Sequence, residues 1–412
     1  VGWRRGLGTE DPAFAEGFKF YMFDDGPFNM EDADRCMRKY RGAPPPDAPN
    51  AMDAIDRALR VNEREYLTEL FLLPALRAHP MRTLVKKEAQ LFVIGYANAL
   101  ARYAKSCRTV AYGQSDDEWD NKVGHALEMD AFFKKNGGRD FLFLNSRYKT
   151  DMSQPLHTLL DSGPIVATFD RFSGRLHGYW RNAWTRGSVI VMPYVSSVAL
   201  DHHHAPPRPK NPKRTYYFRG NMHRWNGERH YLPALAKHLT GADFAEVSFV
   251  AFGKGSNFEP VLNATAFDMR ESSVCPSPEG DTPTSLRLFE ALVAGCVPVV
   301  VGQANLTAFT LPFPSLIDYD SLALFSLPFK EMVARKDKDG LQEFARVLES
   351  FAGPDAVPDR RARLESMRAE GVKVYERHFS FFRNPQGVTT SMLFEAWVLL
   401  QRQGILQGPH TP

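Results

Sequence analysis

A chain of 412 residues is long enough for two ordinary domains with full cores, and 43% hydrophobic with 24% charged residues is the balance of a soluble globular protein. A net charge of +3 suits small anionic ligands, but Lys and Arg are dispersed rather than striped, which argues against a nucleic-acid partner. The longest apolar run, residues 291–301, is broken by Gly295 and Pro298 and is too short for a membrane helix of roughly 20 residues.

Residues 19–23 read as a strand halted by Asp24, Asp25, Gly26 and Pro27. A proline-rich stretch, residues 41–50, has no packing face. Residues 66–76 place Leu67, Leu70, Phe71 and Leu73 at helical spacing, and residues 88–94 lead into a second strand. Residues 116–120 are acidic and loop-like, while residues 125–133 have a helical period. Gly137, Gly138, Arg139 and Asp140 introduce a strand over 141–144, and residues 164–169 and 189–194 are two more strand candidates. His202, His203 and His204 precede a proline-rich connector. Neighbouring imidazoles cannot easily face one ion together, so this segment reads as an interdomain linker.

The second half opens with a strand over 214–218, followed by Gly220 and by Arg229 at a helix start, with a further strand expected over 247–252. Residues 272–301 then form a complete strand–loop–helix–strand unit. The strand over 273–275 is expected to end at Pro276. Asp281 or Thr282 caps a helix with Pro283 in its first turn, and Leu286, Phe289, Leu292 and Val293 form its apolar face. Gly295 stops that helix, and the β-branched run over 297–301 suits a strand buried on both faces. A loop feeding the free N–H groups of a helix N-terminus, at the carboxyl end of a parallel strand, is a site for phosphate. Gly280, Asp281, Thr282 and Ser285 lie in that turn; Arg287 can hydrogen-bond a pyrophosphate and Glu290 can accept from a ribose diol. The competing reading of Arg287 and Glu290 is a surface ion pair. Residues 341–351 and 361–379 read as amphipathic helices, and a last helix over 389–402 is expected to cross back onto the first half. Four cysteines, Cys36, Cys107, Cys275 and Cys296, are too few for a disulfide scaffold and lack zinc-ligand spacing. Cys275 and Cys296 are open to two readings, a disulfide or two buried thiols.

Ser272-Ser273-Val274-Cys275-Pro276, Gly280-Asp281-Thr282-Pro283, Arg287-Leu288-Phe289-Glu290-Ala291 and Gly295-Cys296-Val297-Pro298-Val299 resemble the signature of exostosin-type glycosyltransferases, glycosyltransferase family 47. Asp24 with Pro27, the Leu311-Pro312-Phe313 step and Asp318-Tyr319 are similar to further family positions, and the likeness runs from residue 18 to residue 380. The chain departs where Phe141 replaces a family histidine and Ser146-Arg147-Tyr148 replaces Ser-His-Asp.

The resemblance implies an α/β protein of GT-B type, two Rossmann-like domains facing a central cleft. They are an acceptor-side domain over 1–205 and a nucleotide-sugar domain over 206–384, with a helix in 385–412 packing back on the first. It implies an inverting enzyme that moves a sugar from a UDP-sugar to a glycan or glycoprotein hydroxyl. Gly220, Arg229, Gly280, Asp281, Thr282, Ser285, Arg287 and Glu290 would hold the nucleotide-sugar, and Asp24 and Asp140 are the candidate bases. No metal cofactor is expected, since there is no Asp-x-Asp motif at a strand end and the arginines can carry the diphosphate. The implied setting is the Golgi lumen as a type II membrane protein, its anchor missing from a chain that starts at Val1; homo- and hetero-oligomers are both open. The rival reading is a catalytically silent scaffold or partner subunit of a glycosyltransferase complex. An epimerase is disfavoured by the lack of a Gly-x-Gly-x-x-Gly fingerprint and of a Tyr-x-x-x-Lys pair.

Overall fold

Five short apolar runs build the first sheet: β1 Phe20–Phe23, β2 Leu91–Ile94, β3 Phe141–Asn145, β4 Ile165–Thr168 and β5 Val189–Val191. The computed structural model describes residues 9–45, 68–103, 116–146, 152–169, 181–196, 209–222, 229–247, 259–279, 285–301, 311–326 and 338–406. All five strands are parallel, in the order β1-β2-β3-β4-β5. Parallel strands covered on both faces read as unbroken apolar runs, and β2 to β5 are buried at every position. Helices α1 Glu31–Arg41, α2 Glu69–Arg77, α3 Asp116–Met129 and α4 Gln154–Ser162 belong to the same unit, which comprises Val1–Tyr194, Pro312–Ile317 and Asn384–Pro412.

The last helix, Pro385–Arg402, is capped by Asn384, whose side chain accepts from the Gly387 N–H at 2.9 Å. It buries Phe394 and Trp397 against Phe14, with ring centroids 5.1 and 5.6 Å apart. Glu395 on this helix accepts the Ser315 N–H at 2.7 Å and the Ser315 hydroxyl at 3.0 Å, which ties Pro312–Ile317 into this unit. Burial pushes the Glu395 carboxyl up to about 7.

The second unit, Val195–Leu311 and Asp318–Arg383, holds β6 Tyr216–Gly220, β7 Ala242–Glu246, β8 Val274–Pro278, β9 Val297–Val301 and β10 Leu324–Ser326. These are also parallel, in the order β10-β9-β8-β6-β7. The chain steps outward from β6 to β7, then returns to lay β8 on the other side of β6. Strand order therefore reverses between β6 and β8. Helices α5 Glu259–Glu271, α6 Leu286–Ala294, α7 Lys338–Ala352 and α8 Pro358–Val374 accompany this sheet. A disulfide joins Cys275 in β8 to Cys296 just before β9, and Cys36 is disulfide-bonded as well. No helix among the described residues is long and apolar enough to cross a membrane.

Three local expectations are corrected. Residues 116–120 open helix α3 rather than a loop, because acidic residues favour the positive end of the helix dipole. A further strand, Ala242–Glu246, was not expected, because Asp243 and Glu246 mask its pattern; of the strand expected over 247–252, residues 248–252 lie outside the described residues. Strand β8 continues through Pro276 to Pro278. Helix α6 is capped by Ser285, four residues later than Asp281.

Removing the 21-residue disulfide link with Cys275→Ser and Cys296→Ser should lower the stability of the second unit by about 3 kcal/mol on loop-entropy grounds, read by urea unfolding. Glu395 has a folded-state pKa above its usual 4.5, so its stabilising contribution is complete below about 4.5 and is lost as pH rises through about 7. Glu395→Gln should therefore melt close to the parent at pH 5 and above it at pH 8. A melting difference that does not change with pH would contradict this assignment.

Candidate functional site

The reversal in the second sheet is built into β8. The N–H and C=O of a strand residue point to the same side, and successive residues alternate sides. The Val274 N–H donates to Thr215 O at 3.0 Å, on the β6 side, and the Val297 N–H meets Ser273 O on the β9 side. Pro276 and Pro278 therefore face β6, and neither has an N–H to give. The β8–β9 register runs from Val274 to Pro278, whereas β6 and β8 pair only through Tyr216 and Val274 among the described residues. The ladder stops where the prolines begin.

Arg229 serves the carboxyl edge beyond that point. It lies in a short 3-10 turn, Arg229–Tyr231, and is buried. Its Nε donates to Glu279 O at 2.9 Å, just after β8, and its Nη1 to Asn221 O at 3.3 Å, just after β6. The guanidinium also lies 5.9 Å from the Phe218 ring centroid. Gly220 makes room for this arrangement: a Cβ there would lie 3.0 Å from the Phe218 ring and 3.8 Å from the Arg229 Nη1. Sequence alone marks Gly220 and Arg229 as separate candidates, and the structure brings them together.

Helix α6 begins on the same edge. The Ser285 Oγ accepts from the Arg287 N–H at 3.4 Å, and Gly295 closes the other end with φ of 63°. The Arg287 Nη1 donates to the Glu290 Oε2, and Glu290 is fully buried. The competing reading, an ion pair between these two residues, is what the structure shows, though with Glu290 buried rather than on the surface. At the opposite edge, Lys210 Nζ donates to the carbonyls of Arg270, Ser272 and Gly295 at 3.1, 2.7 and 2.8 Å. A cation there anchors the negative ends of α5 and α6. Helix α8 runs antiparallel to α6 at close range: Gly371 lies against Leu292, and Phe379 meets Phe289 edge-on at 5.3 Å. Gly280, Asp281 and Thr282 lie outside the described residues.

The two candidate bases sit at opposite edges of the first sheet. Asp24 follows β1 at the carboxyl edge, and both its oxygens hold Arg82 Nη2, at 3.1 and 3.0 Å, with Arg77 Nε at 3.4 Å. Asp140 precedes β3 and so lies at the amino edge. It accepts from Asn136 Nδ2 at 2.6 Å, and burial pushes its carboxyl above the usual range. In a parallel sheet these positions do not converge. Residues that sequence reasoning missed cluster instead past the ends of β2 and β3: Tyr96, Asn98, Asn145 and Ser146, with Glu69 and Asp120 beneath them, all buried. Polar residues directly after two predicted strands were the available signal for the first four. Glu69 and Asp120 gave none.

Open parallel sheets bind ligands outside the carboxyl ends of their strands, where strand order reverses. Among the described strands the second sheet has such a point, occupied by Gly220 and Arg229 and flanked by α6. The first sheet runs in sequential order and has none.

The profile of the exostosin GT47 domain matches residues 15–334, and the chain belongs to that family. Its two parallel-sheet units are those of a GT-B type α/β protein. "Probable arabinosyltransferase ARAD1" of Arabidopsis thaliana is 25% identical over 243 residues, 58% of this chain and 49% of that protein. "Probable glucuronosyltransferase Os01g0926400" of Oryza sativa subsp. japonica is 22% identical over 288 residues, 65% and 61% of the two chains. "Probable beta-1,4-xylosyltransferase IRX10L" of Arabidopsis thaliana is 25% identical over 280 residues, 63% and 61%. The chain thus spans 49% to 61% of the length of these curated relatives. Among solved structures, the pneumococcal O-GlcNAc transferase GtfA, in complex with UDP and GlcNAc, is 12% identical with a TM-score of 0.33, covering 71% of this chain and 61% of that one.

Arg229→Lys keeps the charge but not the fork that reaches two carbonyls. It should cost about 1.5 kcal/mol or more in chemical unfolding, on the scale of a charge-assisted hydrogen bond. An unchanged midpoint would show that the bridge between the β6 and β8 loops carries no load.

Proposed function

We propose that this exostosin-family chain moves a sugar from a UDP-linked donor to a glycan or glycoprotein hydroxyl, with inversion at the anomeric carbon. The observation that supports this most is the coincidence of the strand-order reversal with Arg229 and the start of α6. The relatives' printed names, arabinosyl-, glucuronosyl- and xylosyltransferase, support the reaction class.

In this reading the acceptor oxygen attacks the anomeric carbon as the bond to the diphosphate breaks, the electron pair leaves on the β-phosphate oxygen, and the acceptor hydroxyl gives its proton to a general base, for which Asp24 is the candidate at a carboxyl edge. Charge grows there in the transition state, so donors already in place lower the barrier. Arg229 is held by two carbonyls before any ligand arrives. Arg287 turns from Glu290 to the diphosphate, and Glu290 then accepts from the ribose diol. Gly280, Asp281, Thr282 and Ser285 supply the turn into the helix whose N–H groups face the phosphates. Two guanidiniums provide the positive charge, so no metal enters the scheme. The first unit takes the acceptor. The Cys275–Cys296 disulfide supports an oxidising compartment, in line with a Golgi-lumen setting.

A second reading, a family member that binds the nucleotide-sugar without turnover, is favoured by the two candidate bases. Asp24 is committed to Arg77 and Arg82, and Asp140 lies at the amino edge.

Calorimetry with UDP, followed by UDP release from UDP-arabinose, UDP-xylose, UDP-glucuronic acid and UDP-GlcNAc, separates these readings. Transfer predicts UDP binding, turnover of at least one donor, and loss of about tenfold or more in UDP affinity for Arg287→Ala, the scale of a charge-assisted contact. Binding without turnover selects the second reading. Failure to bind UDP overturns both.

A further inference from the structure

Helix α5, Glu259–Glu271, lies beside α6 and against β6. Its inner side is apolar: Leu262, Ala266 and Met269 are buried. Thr265 belongs to the same side, only 3% exposed, and its hydroxyl donates to Val261 O at 2.7 Å. The outer stripe holds Asn263, Ala264 and Phe267, all exposed, with Phe267 at 42%. Residues four apart are neighbours on a helix surface, so Asn263 and Phe267 share one patch. Among the described residues the Asn263 amide has no hydrogen-bond partner.

Asn263, Ala264 and Thr265 form the Asn-x-Thr triplet that accepts N-linked glycans. Such triplets occur by chance, and what distinguishes this one is its placement. A glycan is bulky and must stay in water; Asn263 is exposed, and no described side chain or backbone group competes for its amide. The enzyme that attaches such glycans must also reach the threonine hydroxyl, which the folded chain hides against Val261. Attachment therefore has to come before α5 docks, and folding afterwards buries the recognition group while leaving the acceptor nitrogen outside. The Cys275–Cys296 disulfide, in the same unit, supplies the second condition, the oxidising compartment through which secreted chains pass.

We propose that Asn263 carries an N-linked oligosaccharide, attached before α5 packs onto its sheet. The donor is a lipid-linked oligosaccharyl diphosphate of the secretory route. The Asn263 Nδ2 forms a bond to the anomeric carbon as the carbon–oxygen bond to the diphosphate breaks. The electron pair leaves with the lipid diphosphate, and one amide proton passes to a base of the host transferase. In the folded protein the glycan stands on the solvent side of α5, beside Phe267, and keeps that side from packing against another protein. Sugar transfer by the chain itself is not required for this, only passage through an oxidising compartment.

The test translates the whole chain behind a cleavable secretory leader into microsomes and reads the leader-cleaved, protease-protected product. Gel mobility is compared with and without peptide-N-glycosidase F, which converts a glycosylated Asn to Asp, and the peptide holding Asn263 is weighed by mass spectrometry. The parent should lose a glycan step on treatment, with Asn263 then read as Asp. Asn263→Gln and Thr265→Val should each abolish that step, whereas Thr265→Ser, which keeps the hydroxyl, should retain it. The triplet Asn305-Leu306-Thr307 lies outside the described residues, and Asn305→Gln should leave the Asn263 step in place. A variant that folds poorly still reports, because attachment precedes folding. Chain folded first without a glycan and then given to detergent-opened microsomes should stay unmodified at Asn263. An unmodified Asn263 in the protected parent, or a glycan count unchanged by Asn263→Gln, overturns the proposal. Modification of the already folded chain overturns the order of attachment and folding on which it rests. Each of these results leaves the UDP binding and turnover measurements to stand or fall by themselves.

Discussion

Two prolines that face the wrong way for a hydrogen-bond ladder determine where this protein is open. Pro276 and Pro278 sit at positions of β8 that point toward β6, and neither can donate. On its other side β8 keeps full register with β9, so the strand stays in the sheet while its partnership with β6 ends at Val274. A backbone edge left unpaired inside a domain must be answered by something polar. Arg229 answers it, holding the carbonyls that follow β6 and β8 at 3.3 and 2.9 Å. The same feature that interrupts the sheet thus seats a cation at the point where an anionic ligand is expected.

The rest of the second unit serves that corner. Lys210 fixes the carbonyl ends of α5 and α6 at the amino edge, the disulfide ties β8 to the turn before β9, and α8 packs along α6 closely enough that a Cβ at Gly371 would lie 2.9 Å from a Leu292 methyl. Helix α6 is held along its length, and its N-terminal turn is presented rather than left to fray. The first unit has a different character. Its strands run in simple sequence with no reversal, and its polar content is concentrated in buried carboxylates that brace connections at the carboxyl edge. One unit reverses its strand order, and the other braces its carboxyl edge by hydrogen bonding.

Most of residues 272–301 was legible in the sequence because three signals agreed there: a helical apolar period, Gly295 as the stop, and a valine run for β9. The cap was misplaced because Asp281, Thr282 and Ser285 are all good caps, and only packing selects among them. The strand through Pro276 was cut short because proline argues against a central strand; what mattered was which side of the strand the prolines face. Asp140 could have been set aside from sequence, since it precedes its strand and so belongs to the amino edge. Arg229 and Lys210 were harder to assign. Their partners are backbone carbonyls, which have no sequence signature. Glu69 and Asp120 were illegible for a related reason, as both look like ordinary acidic residues at helix starts.

The claim on which the account depends is that a nucleoside diphosphate lodges at the β6–β8 reversal. Hydrogen–deuterium exchange with and without UDP tests it most directly, because it reports location without requiring turnover or an acceptor. The account predicts slowed exchange in peptides covering Gly220 and Asn221, Glu279, and Ser285 to Arg287, with the ends of β1, β2 and β3 unaffected. Slowed exchange at the carboxyl edge of the first sheet, with none at the second, would contradict it.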